Sequence, residues 1–355
     1  MSAPRCLIVT PYAVGGGVTE AFFTSIEIMR RAGAVPIAMV DAKASFLERL
    51  AAAGIETVTV PGLGAGGSLN AWAAGRRAGA SARRLAPAVI LAHNGRYIDA
   101  LKRRVGSIPV VGVVHGGKLD RFLGADRLIT VNQEQAVGLV AKGYAESRLA
   151  VIPNVLPVDA IPPFTTRPWA QPPAIGTLRL LVKAKGVDIL IAAVGLLARR
   201  GLTVGLHIGG TGEEEAALRR QVAQLALDTQ VTFHGWVSDQ AAFLGAMDLY
   251  VMPSRFETFG IGILEAQAAG LPVIASNCEG PASVLRDGDT GLLVPPGEPA
   301  ALADSIARLI SDRAFAESLA RNGHADCAAR HLLPAIAGRY GDFVFGRNGL
   351  SIEGC

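Results

Sequence analysis

Apolar residues along the chain fall into short runs rich in β-branched side chains, separated by longer stretches with helical periodicity. In the first half the runs lie at 7–10, 35–40, 57–60, 89–92, 110–114, 128–131 and 150–152. Between them, 19–31, 44–53, 69–85 and 133–142 read as helices. Strand alternating with helix predicts a parallel, doubly wound sheet. Between 157 and 173 the periodicity lapses and six prolines occur, the composition of a stiff linker. The alternation then restarts. Strands are expected over 175–181, 204–208, 231–233, 249–252, 273–275 and 291–294. Helices are expected over 188–200, 213–227, 240–246, 261–269 and 299–310, with a mostly helical tail from Asp312.

This pattern predicts an α/β chain of two similar domains in tandem, without a recognisable sequence repeat between them. The expected organisation is a Rossmann-like domain over 1–156, a Pro-rich linker over 157–173 and a second Rossmann-like domain over 174–330. The tail 331–355 is helical, with the first domain as a candidate packing partner. Open α/β sheets bind ligands beyond the carboxyl ends of their strands. Two such domains facing each other would enclose a cleft, a usual place for a ligand.

Composition narrows the class. Half of the 355 residues are hydrophobic, enough for two cores. No apolar run approaches the ~20 residues of a membrane span, and the N-terminus lacks a signal-peptide pattern. The four cysteines, Cys6, Cys278, Cys327 and Cys355, lack metal-ligand spacing. A reduced, cytoplasmic protein is expected. Charge is uneven: residues 1–172 hold 19 Lys and Arg against 11 Asp and Glu, and the remainder 15 against 19. A basic half makes an anionic partner a candidate. Arg76 with Arg83, and Arg77 with Arg84, share helix faces by their spacing, and Lys102, Arg103 and Arg104 form a second cluster. An anionic membrane surface is therefore a candidate partner, on the inner face of the membrane. The bland reading is a solvated helix face.

The strongest chemical signal is PSRFETFGIGILEAQAAGLPVIAS, residues 253–276. Glu257 lies in the loop after a strand, and Glu265 lies eight residues on, in the next helix. Gly260 and Gly262 allow close backbone approach at that helix's N-terminus, where free N–H groups and the dipole favour an anion. A carboxylate can also accept hydrogen bonds from vicinal sugar hydroxyls. The competing structural reading has Glu257 capping the helix and Glu265 on an exposed face. In the first half, Gly15, Gly16 and Gly17 follow the first strand and could cradle a phosphate through the backbone, or form an ordinary tight turn. The third glycine of a dinucleotide fingerprint is absent, Glu20 standing in its place. His115 and His93 each end a strand, at a position that suits a site residue, His115 more than His93, with a structural histidine as the competing reading. Asp287 and Asp289 resemble a metal-binding Asp-x-Asp, but Asp-Gly before a strand is a turn signal, and no metal is expected. Glu213–Glu215 suit the dipole of a helix start.

The Glu-x7-Glu stretch resembles the signature of the retaining glycosyltransferases of family 4, also called group 1, which have the GT-B fold. The segments IGTLRLLVKAKGVDILI, HIGGTGEEEAALRR, FHGWV and DGDTGLLVPPG match further family segments in order, over roughly 175–310. The run from HNGRYIDALKRR to RLITVN looks more loosely like bacterial transferases that build lipopolysaccharide core and other envelope glycans. The resemblance implies the GT-B fold of two facing domains and a nucleoside-diphosphate sugar as co-substrate, with no separate cofactor. It implies a glycan or lipid-linked acceptor and gives no sign of nucleic acid. It makes Glu257, His115 and Lys185 the catalytic candidates: Glu257 on the transferred sugar, Lys185 on the donor phosphates and His115 near the sugar. Glu265 should bind the donor ribose, and Arg179, Lys183, Gly16 and Gly17 the donor more generally. Gly210, Thr258, Phe259 and Gly260 complete the implied donor site.

One departure stands out. The family pattern carries Arg five residues before its Lys; here that place is Leu180, and the Arg is Arg179. Neighbouring side chains of a strand point to opposite faces. Arg179 can serve only if the strand yields to loop before it, and Lys183 is an alternative. The expected reaction moves a hexose to an acceptor hydroxyl with retained configuration, by same-face substitution. The rival readings are a sugar-nucleotide epimerase of the same fold, a nucleotide-sugar-binding protein with weakened catalysis and a tandem α/β dehydrogenase.

Overall fold

A computed structural model describes residues 3–12, 17–64 and 68–347 of the chain. The chain divides into two compact units, residues 1–159 with 332–355, and residues 160–331. The first holds seven strands: β1 (Arg5–Val9), β2 (Val35–Val40), β3 (Glu56–Thr59), β4 (Val89–Ala92), β5 (Val110–Val114), β6 (Arg127–Thr130) and β7 (Leu149–Val151). They form one parallel sheet in the order β3-β2-β1-β4-β5-β6-β7. The second holds six: β8 (Ala174–Leu178), β9 (Gly205–Gly209), β10 (Val231–Gly235), β11 (Leu249–Met252), β12 (Val273–Ser276) and β13 (Leu292–Val294). These too are parallel, in the order β10-β9-β8-β11-β12-β13. In each sheet the chain runs outward in one direction, returns to the middle and runs out the other way. The place of reversal lies between β1 and β4 in the first sheet and between β8 and β11 in the second.

Both faces of the first sheet are covered, and its strands show it. Cys6 and Ile8 of β1 join a core with Phe22, Ile26 and Met29 of the helix Gly17–Arg31. Leu7 and Val9 point the other way, to a core with Ala74, Ala78 and Ala82 of the helix Ser68–Leu85. Period-two alternation thus feeds two apolar layers, and each fully buried Leu, Ile or Val contributes about 1.5–3 kcal/mol. The helix Leu333–Phe345 belongs to this unit: Leu333, Ile336, Tyr340 and Phe343 enter the first core, and the Tyr340 hydroxyl lies 3.1 Å from Ser25 Oγ. In the second unit the helix Val187–Arg199 buries Val187, Leu190, Ile191 and Val194, the i, i+3, i+4, i+7 stripe of a core-facing helix.

The Pro-rich stretch expected as a stiff linker packs onto the second unit from residue 160. Pro162 O lies 2.8 Å from His324 Nε2, the buried Asp248 carboxylate accepts from the Ala170 and Ala174 amides, and Arg313 stacks on Trp169. The helix Ile98–Val105, not expected from the sequence, buries Ile98, Leu101 and Val105 at i, i+3, i+7. Gly75 and Gly79 let the helix Ser68–Leu85 pack on it: a Cβ there would lie 2.8 Å from Ala100 Cβ and 2.7 Å from Arg104 Cδ, so two helices approach along a small-residue stripe. Arg76, Arg77, Arg83 and Arg84 are consequently turned outward and exposed. The second basic cluster is partly committed, because Lys102 pairs with Asp126 at 2.5 Å. Among the described residues, no helix is long and apolar enough to cross a membrane.

Candidate active site

The loops that leave β8, β9, β11 and β12 converge at the carboxyl edge of the second sheet, around its place of reversal. Glycines make the convergence possible. Gly210, at φ +129°, would put a Cβ 1.7 Å from Arg179 O, and Gly212 one 2.3 Å from Leu181 O. The loop after β9 therefore lies directly on the loop after β8. Gly186, at φ +67°, leaves 1.9 Å to Pro253 O and joins the same loop to the one after β11. At Gly280 a Cβ would sit 2.4 Å from Phe259 N, while the Gly280 amide donates to Glu257 O at 2.8 Å.

These contacts bring Arg179, Lys185 and Glu257 together. Strand β8 ends at Leu178, before the residue expected to sit inside it. Strand alternation no longer applies at Arg179, which turns inward and is 8% exposed, while Leu180 faces solvent at 57%. Arg179 thus turns toward Glu257 one residue before the Arg position of the family pattern, because the strand is shorter than its apolar run. Arg179 Nη2 donates to Ser254 Oγ at 2.8 Å and to a Glu257 carboxylate oxygen. Lys185 Nζ donates to that same oxygen at 2.9 Å. Burial works to raise the Glu257 carboxyl, but Arg179 and Lys185 outweigh it and hold the group below its ordinary range. Burial works against the Arg179 charge, and the Glu257 carboxylate and the Tyr250 phenol beside it outweigh that and push the guanidinium up. The result is a buried carboxylate with two cations on one oxygen, an arrangement that carries net positive charge.

Glu257 is not a helix cap. The helix Ile261–Ala268 starts at Gly260, whose backbone is left-handed (φ 96°, ψ 57°) and which makes no side-chain cap bond. Of the amides in that helix's first turn, the Ile263 N–H donates to Gly260 O at 2.8 Å, and the N–H groups ahead of it have no acceptor within the helix. Glu265 is half-buried on it, in reach of the Tyr250 phenol, which burial and the Glu265 charge push up against the lowering effect of Arg179. The Phe259 ring is buried and meets His331 edge-on, so it packs the loop. Thr258 lies half-buried beside it. Lys183 does not join the cluster: its side chain is 69% exposed and reaches Asp188 at 3.5 Å. Asp188 is held mainly by Arg255, at 2.7 Å. Sequence reasoning missed Ser254 and Tyr250, which seat Arg179. Ser254 lies inside the 253–276 stretch, where the Ser next to the strand end could have been read as a partner for a cation. Tyr250 gave no signal beyond its place in an apolar run.

In the first unit, His93 and His115 follow β4 and β5, neighbouring strands of that sheet. His93 Nδ1 and His115 Nε2 are 2.8 Å apart. Burial holds both rings neutral, pushing His93 well below its ordinary value, helped by His115, and His115 down to about 4. Gly17 opens the helix Gly17–Arg31, and among the described residues a Cβ on it would meet nothing within 4 Å. Gly15 and Gly16 lie outside the described residues. Asp287 and Asp289 form a turn: Asp287 accepts from the Leu293 amide at 2.8 Å, and Asp289 from Arg286 and Asn322. Among the described residues, no three His, Cys, Asp or Glu side chains are grouped to hold a metal. Glu215 begins its helix and pairs with Arg219 one turn on rather than capping.

Residues 168–326 match the family described as glycosyl transferases group 1. A lipopolysaccharide core biosynthesis glycosyltransferase, LpsE, of Rhizobium meliloti is 34% identical over 171 residues, 48% of this chain and 49% of that protein. A phosphatidyl-myo-inositol mannosyltransferase of Mycobacterium leprae is 36% identical over 174 residues, 47% of this chain and 45% of that protein. The chain thus spans about half the length of the curated relatives it matches. In fold it is similar to Anabaena Alr3699/HepE, solved in complex with UDP-glucose, with TM-score 0.82 and 20% identity over 97% of this chain and 100% of the other. The two parallel-sheet units are those of a GT-B glycosyltransferase fold. Within the second unit, residues 168–326 are thus similar to the group 1 glycosyl transferases.

Proposed function

We propose that the chain transfers a hexose, with retained anomeric configuration, from a nucleoside-diphosphate sugar to an acceptor hydroxyl of a cell-envelope glycan or glycolipid. One observation supports this most: Arg179 and Lys185 converge on Glu257 at the carboxyl edge, where β8 and β11 part. A departing diphosphate needs positive charge that is fixed before the reaction. Arg179, Lys185 and the N-terminus of the helix Ile261–Ala268 supply it, and no metal is needed. In this reading the diphosphate takes over the two cations, and Glu257, released from them, accepts hydrogen bonds from the transferred sugar. Glu265 accepts from the donor ribose. The departing phosphate removes the acceptor proton in a same-face substitution, and His115 polarises a substrate hydroxyl. The relatives named for lipopolysaccharide and phosphatidylinositol chemistry support an envelope acceptor.

Replacing Glu265 with Ala is expected to weaken binding of the bare nucleoside diphosphate by about 1.5–3 kcal/mol, the contribution of hydrogen bonds to a charged group. Calorimetric titration of the nucleotide against both proteins checks this. Equal affinities would return Glu265 to a structural role.

The reading includes a cytoplasmic enzyme that visits an anionic membrane face. Arg76, Arg77, Arg83 and Arg84 are exposed on one helix, with Trp72 58% exposed beside them and Arg76 over its ring. Each basic residue near such a surface contributes about 1 kcal/mol, screened by salt. Sedimentation should show binding to anionic vesicles at low salt, lost at high salt and absent with neutral vesicles. No binding to anionic vesicles at low salt would remove the membrane from the account.

A further inference from the structure

His93 is 1% exposed and its Nε2 has no hydrogen-bond partner among the described residues. The phenyl ring of Phe22 stands edge-on to it, and the His93 amide is tied to Val9 O at 2.9 Å. Its Nδ1 faces His115 Nε2 at 2.8 Å, with only 16° between the ring planes, so an N–H on one can point along the lone pair of the other. One of the two must donate. A proton on His93 Nε2 would be an N–H buried with no acceptor, the costlier kind of orphan. A proton on His93 Nδ1 leaves only an unused lone pair and makes the bond to His115.

We infer that His93 is a positioning residue that fixes the tautomer of His115, donating from Nδ1 to His115 Nε2 and leaving His115 with its proton on Nδ1. His115 then offers a hydrogen-bond donor, not an acceptor, from its free nitrogen. Burial, which keeps both rings uncharged, is consistent with a pair that shares one such bond. The arrangement puts a fixed donor at the carboxyl end of β5, where it can polarise a substrate hydroxyl. That last step rests on the transferase reading above. The tautomer assignment does not.

The test has two arms. In the full chain with 15N-labelled histidine, two-bond proton–nitrogen correlations at neutral pH should show His115 protonated at Nδ1. In His93→Ala, which removes the donor and leaves room for a water to accept, the proton should move to His115 Nε2, the tautomer a free imidazole prefers. In His93→Asn, whose amide can place an N–H where Nδ1–H stands, His115 should keep the wild-type tautomer. With donor and acceptor, kcat should fall about 10- to 100-fold in His93→Ala, the range that follows loss of the partner orienting a metal-ligating histidine, and return close to wild type in His93→Asn. Wild-type His115 protonated at Nε2, or an unchanged tautomer in His93→Ala, overturns the inference whatever the activity. The predicted tautomers in a protein with no transferase turnover would uphold the assignment and count against the transferase reading alone.

Discussion

Glu257→Gln is expected to lower kcat by about 100-fold or more, while the affinity for nucleoside diphosphate stays the same or tightens. The asymmetry follows from what the carboxylate does in the free protein. It neutralises Arg179 and Lys185 from one oxygen. The amide leaves those two cations in place but weakens their restraint, so a diphosphate finds at least as much positive charge as before. The transferred sugar loses a carboxylate whose hydrogen bonds strengthen as positive charge develops on the ring. Loss of one such fixed interaction typically costs about 10²–10³ in kcat. Measuring kcat and nucleotide Kd separately decides the matter. An unchanged kcat would remove Glu257 from the reacting centre, and a parallel loss of both would make it a phosphate-site residue.

Arg179→Met carries the second large effect, and on two quantities. The guanidinium is buried, bonded to Ser254 Oγ and paired with Glu257. Methionine fills comparable space but leaves the carboxylate with Lys185 alone and Ser254 without its donor. Removing one partner of a buried pair costs about 3–5 kcal/mol, and the remaining Lys185 should keep the loss near 3. Affinity for nucleoside diphosphate should fall as well, by about 1.5–3 kcal/mol. Lysine is not expected to restore either, because one ammonium cannot keep the Nη2 bonds to Ser254 and Glu257 together with the contact to Tyr250. Denaturant midpoints and nucleotide titrations on both variants read the outcome. A variant as stable and as tight-binding as the wild type would show that Arg179 is spectator packing.

How far the sequence carried the reading differs between fold and site, for physical reasons. Strands buried on both faces advertise themselves as apolar runs, so β2, β4, β5 and β11 fall where the runs are. Runs also mislead where apolar residues continue past the last ladder bond. The run over 175–181 outlasts β8, which ends at Leu178, and that difference reverses the orientation inferred for Arg179. The helix Ile98–Val105 was missed although Ile98, Leu101 and Val105 are spaced i, i+3, i+7, because two turns between strands give a short pattern. The Pro-rich stretch read as a stiff linker packs through Asp248 and Trp169, contacts distant in sequence. In the site, Glu257, Glu265 and Lys185 were legible because they lie in ordered motifs. Ser254 and Tyr250, which seat Arg179, depend on how four loops fold onto one another, and only Gly210, Gly212, Gly186 and Gly280 hinted at that crowding.

The central claim is that the second unit binds a nucleoside-diphosphate sugar at the Arg179–Glu257–Lys185 cluster. A thermal-shift screen of nucleoside diphosphates and their sugars, run in parallel on the wild type and on Arg179→Met, tests it most directly. At least one donor, present at 100 times its wild-type Kd, should stabilise the wild type by about 2.7 kcal/mol and the variant by only about 0.3–1.3 kcal/mol at the same concentration. Stabilisation of both proteins to the same extent, or of neither by any nucleotide at millimolar concentration, would contradict the account.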